Sequence, residues 1–275
     1  MSGADGLSSM LFVPGSKPDR FAKALASGAR CVCIDLEDSV PAEGKAEARR
    51  AALDAIAGDA RLALRINGLA TRAGLEDLLA LADSGALPQL LFVPMVESAA
   101  EIDIIGAVLG ARGSGIVPLI ETVKGLRAAH AIAAAPRIAA VMFGGGDFSA
   151  ELGVELAWEP LLAARSALVM ACAGAGVAAI DVPYLALDDT EGLIAEARRA
   201  KALGFSAKAA IHPAQVTAIE AVFRPSADEL AEAAAAEAAF AAAGGAAIRF
   251  NGRMLEEPVM RRYRRILAMG SASDA

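Results

Sequence analysis

Eight short apolar runs alternate with Ala- and Leu-rich stretches of helical periodicity, and this alternation limits the fold more than any other feature of the chain. Each run and the helical stretch after it take about 25 to 30 residues, the repeat length of a (β/α)8 barrel. The sequence therefore predicts an α/β protein with a TIM barrel. The predicted strands are residues 10–14, 31–36, 62–66, 90–96, 116–120, 139–143, 178–182 and 207–211.

Helical stretches fill the intervals between these strands. The pair Ser98 and Glu101 has the spacing of a capping box, which predicts a helix start at that point. We expect helices over residues 19–27, 43–57, 74–83, 98–109, 125–134, 159–173 and 191–203.

The chain continues well beyond the eighth strand. We assign residues 1–223 to the barrel and 224–275 to a C-terminal helical extension. The extension is either a lid, which could close over a neighbouring subunit, or a helix packed across the barrel bottom. Its predicted elements are a helix over 214–222, a break at Pro225, a helix opened by the capping pair Ser226 and Glu229, a Gly244-Gly245 hinge, a short strand or loop through Phe250, and a last helix from Pro258.

Composition excludes several classes of protein. The chain has 275 residues, 56% of them apolar, so it can bury a large core. Its longest uncharged stretch, residues 166–180, is shorter than the roughly 20 residues of a membrane span. Since no export signal opens the chain either, we expect a cytoplasmic protein. The net charge of -7 argues against nucleic acid as a partner.

Two further groups of residues receive a structural interpretation. The three cysteines lack metal-ligand spacing, and we expect buried thiols. Four arginines at positions 261, 262, 264 and 265 form a basic cluster in the last helix, which we interpret as a solvated or subunit-contacting face rather than a phosphate site.

Polar residues stand where several predicted strands end, the position of active sites in TIM barrels. Glu121 and Asp147 close successive strands, and two carboxylates suit Mg²⁺, which retains several waters. Helix N-capping is the alternative role for this pair. The other strand-end residues are Asp35, Glu37, Asp38, Arg65, Asn67, Asp181, Lys208 and His212.

Arg65 is the strand-end cation that always stays protonated, so it can hold a carboxylate or an enolate oxygen. An ion pair with Asp35 or Glu37 inside the barrel is the alternative. Lys208 and His212 have structural and functional interpretations of equal weight. The run Gly144–Gly146 predicts a tight strand exit whose amides can approach an anion.

Several motifs in order resemble the citrate lyase beta-subunit-like family, which includes malyl-CoA, methylmalyl-CoA and citramalyl-CoA lyases. The resemblance covers nearly the whole chain, and residues 157–160 and 205–208 are most similar to the citramalyl-CoA lyase branch. The motifs are LFVPG at 11–15, IDLEDSV at 34–40, LRIN at 64–67, LIET at 119–122, FGGGD at 143–147 and GFSAKAAIHP at 204–213 with Gln215.

The resemblance implies a Mg²⁺-dependent lyase that cleaves a hydroxyacyl-CoA thioester, such as citramalyl-CoA or malyl-CoA, into acetyl-CoA and a 2-oxo acid. It implies a homo-oligomer, a trimer or a hexamer. It also implies that Glu121 and Asp147 bind Mg²⁺, that Arg65 contacts the reacting oxygen, that Asp35, Glu37 and Asp38 hold metal-bound waters, and that the amides of Gly146, Asp147 and Phe148 bind the acid's carboxylate.

The chain departs from the family pattern at two positions. Glu256 stands where the CoA-lyase branch has an aspartate that acts as acid/base from a neighbouring subunit's lid, and Met95 stands where lysine is common. We expect Lys17, Arg20 and Lys23 either to contact the CoA phosphates or to form an exposed helix face.

Three other functions remain open at this stage. They are a citrate lyase beta subunit that acts on an acyl-carrier-protein thioester, an aldolase for free hydroxy-oxo acids, and a non-catalytic family member.

Overall fold

Eight parallel strands form a closed barrel in the computed structural model, which describes residues 6–110 and 113–271. Each strand pairs with the next along the chain, and β1 pairs with β8 to close the barrel. This confirms the predicted α/β TIM barrel. The strands are β1 Ser9–Pro14, β2 Cys31–Asp35, β3 Leu62–Arg65, β4 Leu90–Val93, β5 Gly115–Ile120, β6 Ala140–Phe143, β7 Ala178–Asp181 and β8 Ala207–Ala210.

Side chains alternate between the barrel interior and the surrounding helices, as the period of two in a strand requires. Cys31 and Cys33 of β2 belong to the interior cluster, together with Val117 and Leu119 of β5. All three cysteines are free and buried, as predicted. Small residues such as Ala207 and Ala209 of β8 leave room for the larger side chains of other strands.

Helices follow the strands around the barrel. Thr71, Thr122 and Asp189 cap α3, α5 and α8 by accepting backbone N–H bonds in the first turn, and the predicted capping box of Ser98 and Glu101 opens α4. The helices are α1 Phe21–Leu25, α2 Lys45–Gly58, α3 Arg72–Ser84, α4 Ala99–Leu109, α5 Val123–Ala133, α6 Gly145–Leu152, α7 Trp158–Ala175, α8 Thr190–Leu203 and α9 Pro213–Phe223.

The chain divides into two compact units, Met1–Glu220 and Ala221–Ala275, and the division falls within α9. In the second unit, α10 (Ala227–Ala242) begins with the predicted Ser226–Glu229 capping box. A two-stranded hairpin of β9 (Ile248–Phe250) and β10 (Arg253–Leu255) follows, and α11 (Glu257–Ser271) packs on α10. The boundary at 223/224 and the lid role stay predictions.

Two local differences from the sequence-based expectations concern the site. Several strands end one to three residues earlier than predicted, so the apolar residues Leu36, Ile66, Val182 and Ile211 lie just beyond the strands. The helix α6 was not predicted at all, since three successive glycines disfavour a helix start.

Over the described part of the chain, no helix is long and apolar enough to cross a membrane.

Candidate active site

A cavity of about 410 Å³ opens at the carboxyl ends of the strands in the first unit. Its floor consists of Leu119 and Met142 from the interior cluster. The lining includes both apolar and charged side chains. The apolar ones include Leu156, Val182, Pro183, Leu185 and Ile211, and the charged ones are Asp35, Asp38, Arg65, Glu121 and Asp147.

Strand alternation explains why these charged residues meet. Asp35 lies two residues beyond Cys33, and Glu121 lies two residues beyond Leu119, so both continue the inward-facing rows of their strands. Arg65 continues the row of Ala63 in the same way. The sequence-predicted residues of β2, β3 and β5 are therefore brought together directly above the apolar core.

Arg65 is surrounded by three carboxylates. Its Nε donates to Asp35 Oδ1 at 2.7 Å, its Nη1 lies 2.8 Å from Glu37 Oε2, and its Nη2 lies 3.4 Å from Asp38 Oδ2. The guanidinium also stacks over the Phe12 ring, 4.7 Å from its centroid. The ion pair left open by the sequence is thus present, and Arg65 is held in place before any ligand arrives.

The three carboxylates differ in their electrostatic surroundings. Burial acts to raise the pKa of Asp35, but the hydrogen bond and the charge of Arg65 outweigh it and hold the pKa below its usual range. Burial raises the pKa of Glu37 to about 8. The charge of Arg65 acts to lower this pKa, while the negative charges of Glu121 and Asp38 act to raise it further. The buried Glu37 Oε2 contacts Arg65 as an ion pair but lacks an aligned hydrogen bond in the described structure.

Glu121 is buried and held on two sides. Its Oε2 accepts a bond of 2.8 Å from the backbone N–H of Met95, and its carboxyl lies against Gly144, where an added Cβ would overlap it. Burial raises the pKa of Glu121 to about 7, and the charges of Asp147 and Asp38 contribute, while Met95 and Arg65 oppose the shift. Glu121 is therefore a fixed carboxyl group that is partly protonated near neutral pH in the absence of a cation.

The helix α6 carries Asp147 in its first turn. Its first three N–H groups, at residues 145 to 147, have no acceptor within the helix, and the positive end of the helix dipole lies there. Phe148 differs from the prediction, because its N–H donates to the Gly144 carbonyl at 3.3 Å and its ring packs on Phe143 with centroids 5.5 Å apart. Gly146 and Asp147 line the cavity, whereas the Phe148 side chain is buried next to Phe143.

The donor chemistry of the cavity fits a hard divalent cation. Four carboxylates and one guanidinium line it, a formal excess of three negative charges. Among residues 6–110 and 113–271, no group of three or more Asp, Glu, His or Cys side chains is arranged to hold a metal. A pair of carboxylates is nevertheless sufficient for Mg²⁺, because this ion retains most of its waters.

Asp181 and Lys208 do not belong to this site, which corrects the expectation that they stand on the catalytic rim. They follow the inward-facing Ile180 and Ala207 by one residue, so they point outward into the helix layer. Lys208 is fully buried, and its Nζ lies 2.6 Å from Asp181 Oδ2 and 2.8 Å from Glu196 Oε1. Arg165 of α7 donates to Asp181 Oδ1 at 2.9 Å and completes a charge-balanced network.

Asn67 also has a structural role. Its Nδ2 donates to Asp77 Oδ2 at 2.7 Å and to the Leu36 carbonyl at 3.1 Å, which ties β3 to α3 and to the β2 loop. His212 is exposed, and its Nδ1 accepts from the N–H of Ala214 at 3.2 Å. His212 and Asn67 therefore do not line the cavity.

The remaining candidates lie outside the cavity lining. Lys17, Arg20 and Lys23 are exposed in and before α1, at the carboxyl end of β1. Glu256 is exposed in the second unit, directly before α11, and its carbonyl accepts from the N–H groups of Val259 and Met260. Their assigned roles stay predictions.

Two residues have contacts in the structure that the sequence did not predict. Gly144 is required by the Glu121 carboxyl, a contact between strands that no local pattern reveals. Gln215 bridges two loops at the cavity mouth. Its signal in the sequence was only its position after the His212-Pro213 pair.

The chain is thus a TIM barrel whose strand-end cavity contains carboxylates and a fixed arginine, a lining suited to a divalent cation and an anionic ligand. Residues 8–213 match the model of the HpcH/HpaI aldolase/citrate lyase family, and the chain belongs to this family. Membership confirms the resemblance to citrate lyase beta-like proteins and the predicted class of carbon–carbon lyase.

Two curated relatives show how broad this family is. The chain is 38% identical to a citrate lyase subunit beta-like protein of Deinococcus radiodurans, over 95% of this chain and 96% of that protein. It is 36% identical to the L-malyl-CoA/beta-methylmalyl-CoA lyase of Cereibacter sphaeroides, over 90% and 89% of the two chains.

Solved structures of the protein CitE from Mycobacterium tuberculosis share the fold. One, in complex with magnesium, acetoacetate and coenzyme A, has a TM-score of 0.82 and 34% identity over 96% of this chain and 98% of that one. Another, in complex with magnesium and pyruvate, has a TM-score of 0.76 and 31% identity over 97% and 100%.

Proposed function

We propose that this protein is a Mg²⁺-dependent lyase that cleaves a 3-hydroxy-3-carboxyacyl-CoA, such as citramalyl-CoA or malyl-CoA, into acetyl-CoA and a 2-oxo acid. The observation that carries the proposal is the meeting of Glu121, Asp147 and Arg65 in one cavity of a chain from this lyase family. Magnesium and coenzyme A in the CitE complex support the choice of cofactor and thioester.

Glu121 and Asp147 would hold the metal, and Asp35, Glu37 and Asp38 would face its waters. When bound, Mg²⁺ supplies a Lewis acid that offsets the negative charge of the acid's oxygens. The fixed position of Glu121, set by Met95 and Gly144, removes the need to order this ligand during binding.

Cleavage breaks the bond between C2 and C3 of the acyl chain. The hydroxyl on C3 loses its proton and becomes the carbonyl of the 2-oxo acid, while the electron pair of the broken bond forms the thioester enolate at C2. The guanidinium of Arg65 would stabilise the enolate oxygen, and a proton added to C2 then gives acetyl-CoA. The amides at the start of α6 would bind the carboxylate of the acid.

Glu256 would carry the proton as an acid/base group. In the CoA-lyase branch that the chain resembles, the corresponding acid/base residue comes from the lid of a neighbouring subunit, and we propose a homo-oligomer on that ground. Glu256→Gln should lower turnover at least about 100-fold. The adjacent Glu257→Gln is the matched control, since Glu257 already pairs with Arg264, and it should retain turnover.

The direct test incubates the protein with Mg²⁺ and either citramalyl-CoA or malyl-CoA and measures the free 2-oxo acid. Asp147→Ala should abolish turnover, whereas Asp103→Ala on the exposed face of α4 should not change it. No turnover by the wild type, or full turnover by Asp147→Ala, would contradict the proposal. Turnover of an acyl-carrier-protein thioester alone would instead identify a citrate lyase beta subunit.

A further inference from the structure

Gln215 lies at the start of α9 and joins two loops through its side-chain amide. Its Nε2 donates to the Tyr184 carbonyl at 2.7 Å, and its Oε1 accepts from the N–H groups of Ile211 at 3.0 Å and His212 at 3.3 Å. Gln215 is 3% exposed, whereas its bonding partners are half-buried or exposed. Gln215 therefore connects the loop after β7 with the loop after β8.

These two loops carry the apolar side of the cavity mouth. Pro183 and Leu185 flank the bonded Tyr184, and Ile211 is itself a bonded residue. Leu185 is 60% exposed and Ile211 is 41% exposed, so packing alone does not fix either side chain. The position of this apolar side depends on backbone hydrogen bonds, and the Gln215 amide supplies three of them.

The loop after β7 is also fixed at its far end. The Tyr184 hydroxyl donates to Asp189 Oδ2 at 2.6 Å, and Asp189 Oδ1 accepts from the N–H of Gly192 in the first turn of α8. The segment that carries Leu185 is thus attached to α8 on one side and to Gln215 on the other. Loss of the Gln215 bonds would release one of these two attachments.

The apolar side continues to the turn where the acid's carboxylate is expected. A Cβ added to Gly145 would lie 3.0 Å from Leu156 Cδ1 and 3.4 Å from Val182 Cγ1, so both side chains adjoin the start of α6. An acid whose carboxylate meets the amides of that turn would have these apolar residues beside it.

We propose that Gln215 is a positioning residue that fixes the apolar side of the cavity and thereby sets which 2-oxo acids bind, according to the length of their carbon chain. The inference rests on the proposed function. The position requires glutamine, because one end of the side-chain amide donates to a carbonyl while the other end accepts from two N–H groups. Glutamate retains the acceptor and places a second acceptor against the Tyr184 carbonyl.

The test measures binding of pyruvate, 2-oxobutyrate and 2-oxovalerate by calorimetry in the presence of Mg²⁺. A fixed apolar side should discriminate by about 10-fold or more per added methylene. Gln215→Met should reduce this ratio below about threefold, and Gln215→Glu, which retains two of the three bonds, should give an intermediate ratio. Thr217→Ala on the exposed face of α9 is the control and should preserve the ratio.

Thermal unfolding of each variant separates this role from a loss of fold, because a general destabilisation lowers the melting temperature without changing the ratio of dissociation constants. If the wild type binds the acids and discriminates among them while Gln215→Met discriminates equally well, the inference is wrong and the proposed function stands. If the wild type binds none of the three acids, the inference is wrong, and the proposed function is then decided separately by the turnover of citramalyl-CoA and malyl-CoA.

Discussion

The backbone N–H of Met95 donates to Oε2 of Glu121 at 2.8 Å, from a residue whose φ of 57° lies in the left-handed region. The position of Glu121 therefore depends on a backbone conformation that residues other than glycine adopt only at a cost in free energy. The side chain of Met95 is exposed and takes no part in this bond. A lysine at this position is thus not needed to hold Glu121.

Met95→Ile should lower the free energy of unfolding by about 1 to 2 kcal/mol, because a β-branched side chain is strained at this φ. Met95→Gly should retain the Mg²⁺ affinity of the wild type, since it keeps the N–H and tolerates the conformation. Denaturant unfolding and Mg²⁺ titration measure the two effects. A weak Mg²⁺ affinity in Met95→Gly would show that the side chain contributes.

Gly144→Ala should weaken Mg²⁺ binding at least about 10-fold, because the new Cβ would displace the Glu121 carboxyl. Calorimetric titration with Mg²⁺ measures the change. Gly146→Ala is the matched control, since a Cβ at Gly146 has no neighbour within 4 Å. Equal losses in the two variants would point to a general effect of alanine on α6 rather than to Glu121.

The raised pKa of Glu121 predicts that protons compete with Mg²⁺. Because this pKa is about 7, the apparent Mg²⁺ affinity should fall up to about 10-fold per pH unit below pH 7. Above pH 8, where the Glu37 carboxyl with its pKa of about 8 also ionises, the affinity should level off. Titrations at pH 5.5, 6.5 and 8.5 give the profile, and a constant affinity across them would contradict the prediction.

The same group affects stability in the absence of metal. The folded protein holds a proton on Glu121 up to about pH 7, whereas the unfolded chain releases it near 4.5. The free energy of unfolding should therefore fall as the pH rises through that window. Glu121→Gln should remove part of this slope, as measured by chemical unfolding at several pH values with a metal chelator present.

Lys208→Met should lower the free energy of unfolding by about 3 to 5 kcal/mol, because it leaves the buried Asp181 and the partly buried Glu196 with one cation fewer. Urea unfolding measures the loss. Arg72→Ala removes an exposed ion pair with Glu76 and should leave the unfolding midpoint unchanged. A small effect of Lys208→Met would show that the network relaxes or admits water.

The barrel and much of the site could be predicted because they follow from sequence patterns within single short segments. The apolar runs mark the strands, and the period of two within each strand places Arg65 and Glu121 inside. Applied to β7 and β8, the same period places Asp181 and Lys208 outside, and counting from Ile180 and Ala207 would have assigned both to the helix layer.

Other features depend on contacts between distant segments. The α6 helix begins within three glycines, and the Glu121 carboxyl, which follows β5, leaves no space for a side chain at the first of them, Gly144. The left-handed Met95 and the bonds of Gln215 likewise arise where separate loops meet. Such pairings leave no periodic trace in the sequence, so they required the folded structure.

The three carboxylates around Arg65 differ in how easily an incoming anion can replace them. Asp35 is buried and bonded at 2.7 Å, whereas Asp38 is 72% exposed and lies 3.4 Å from Nη2. Solvation stabilises a displaced Asp38 far more than a displaced Asp35. Displacing Asp38 from Arg65 therefore costs less free energy than displacing Asp35, which stays bonded at Nε and keeps the arginine fixed to the barrel.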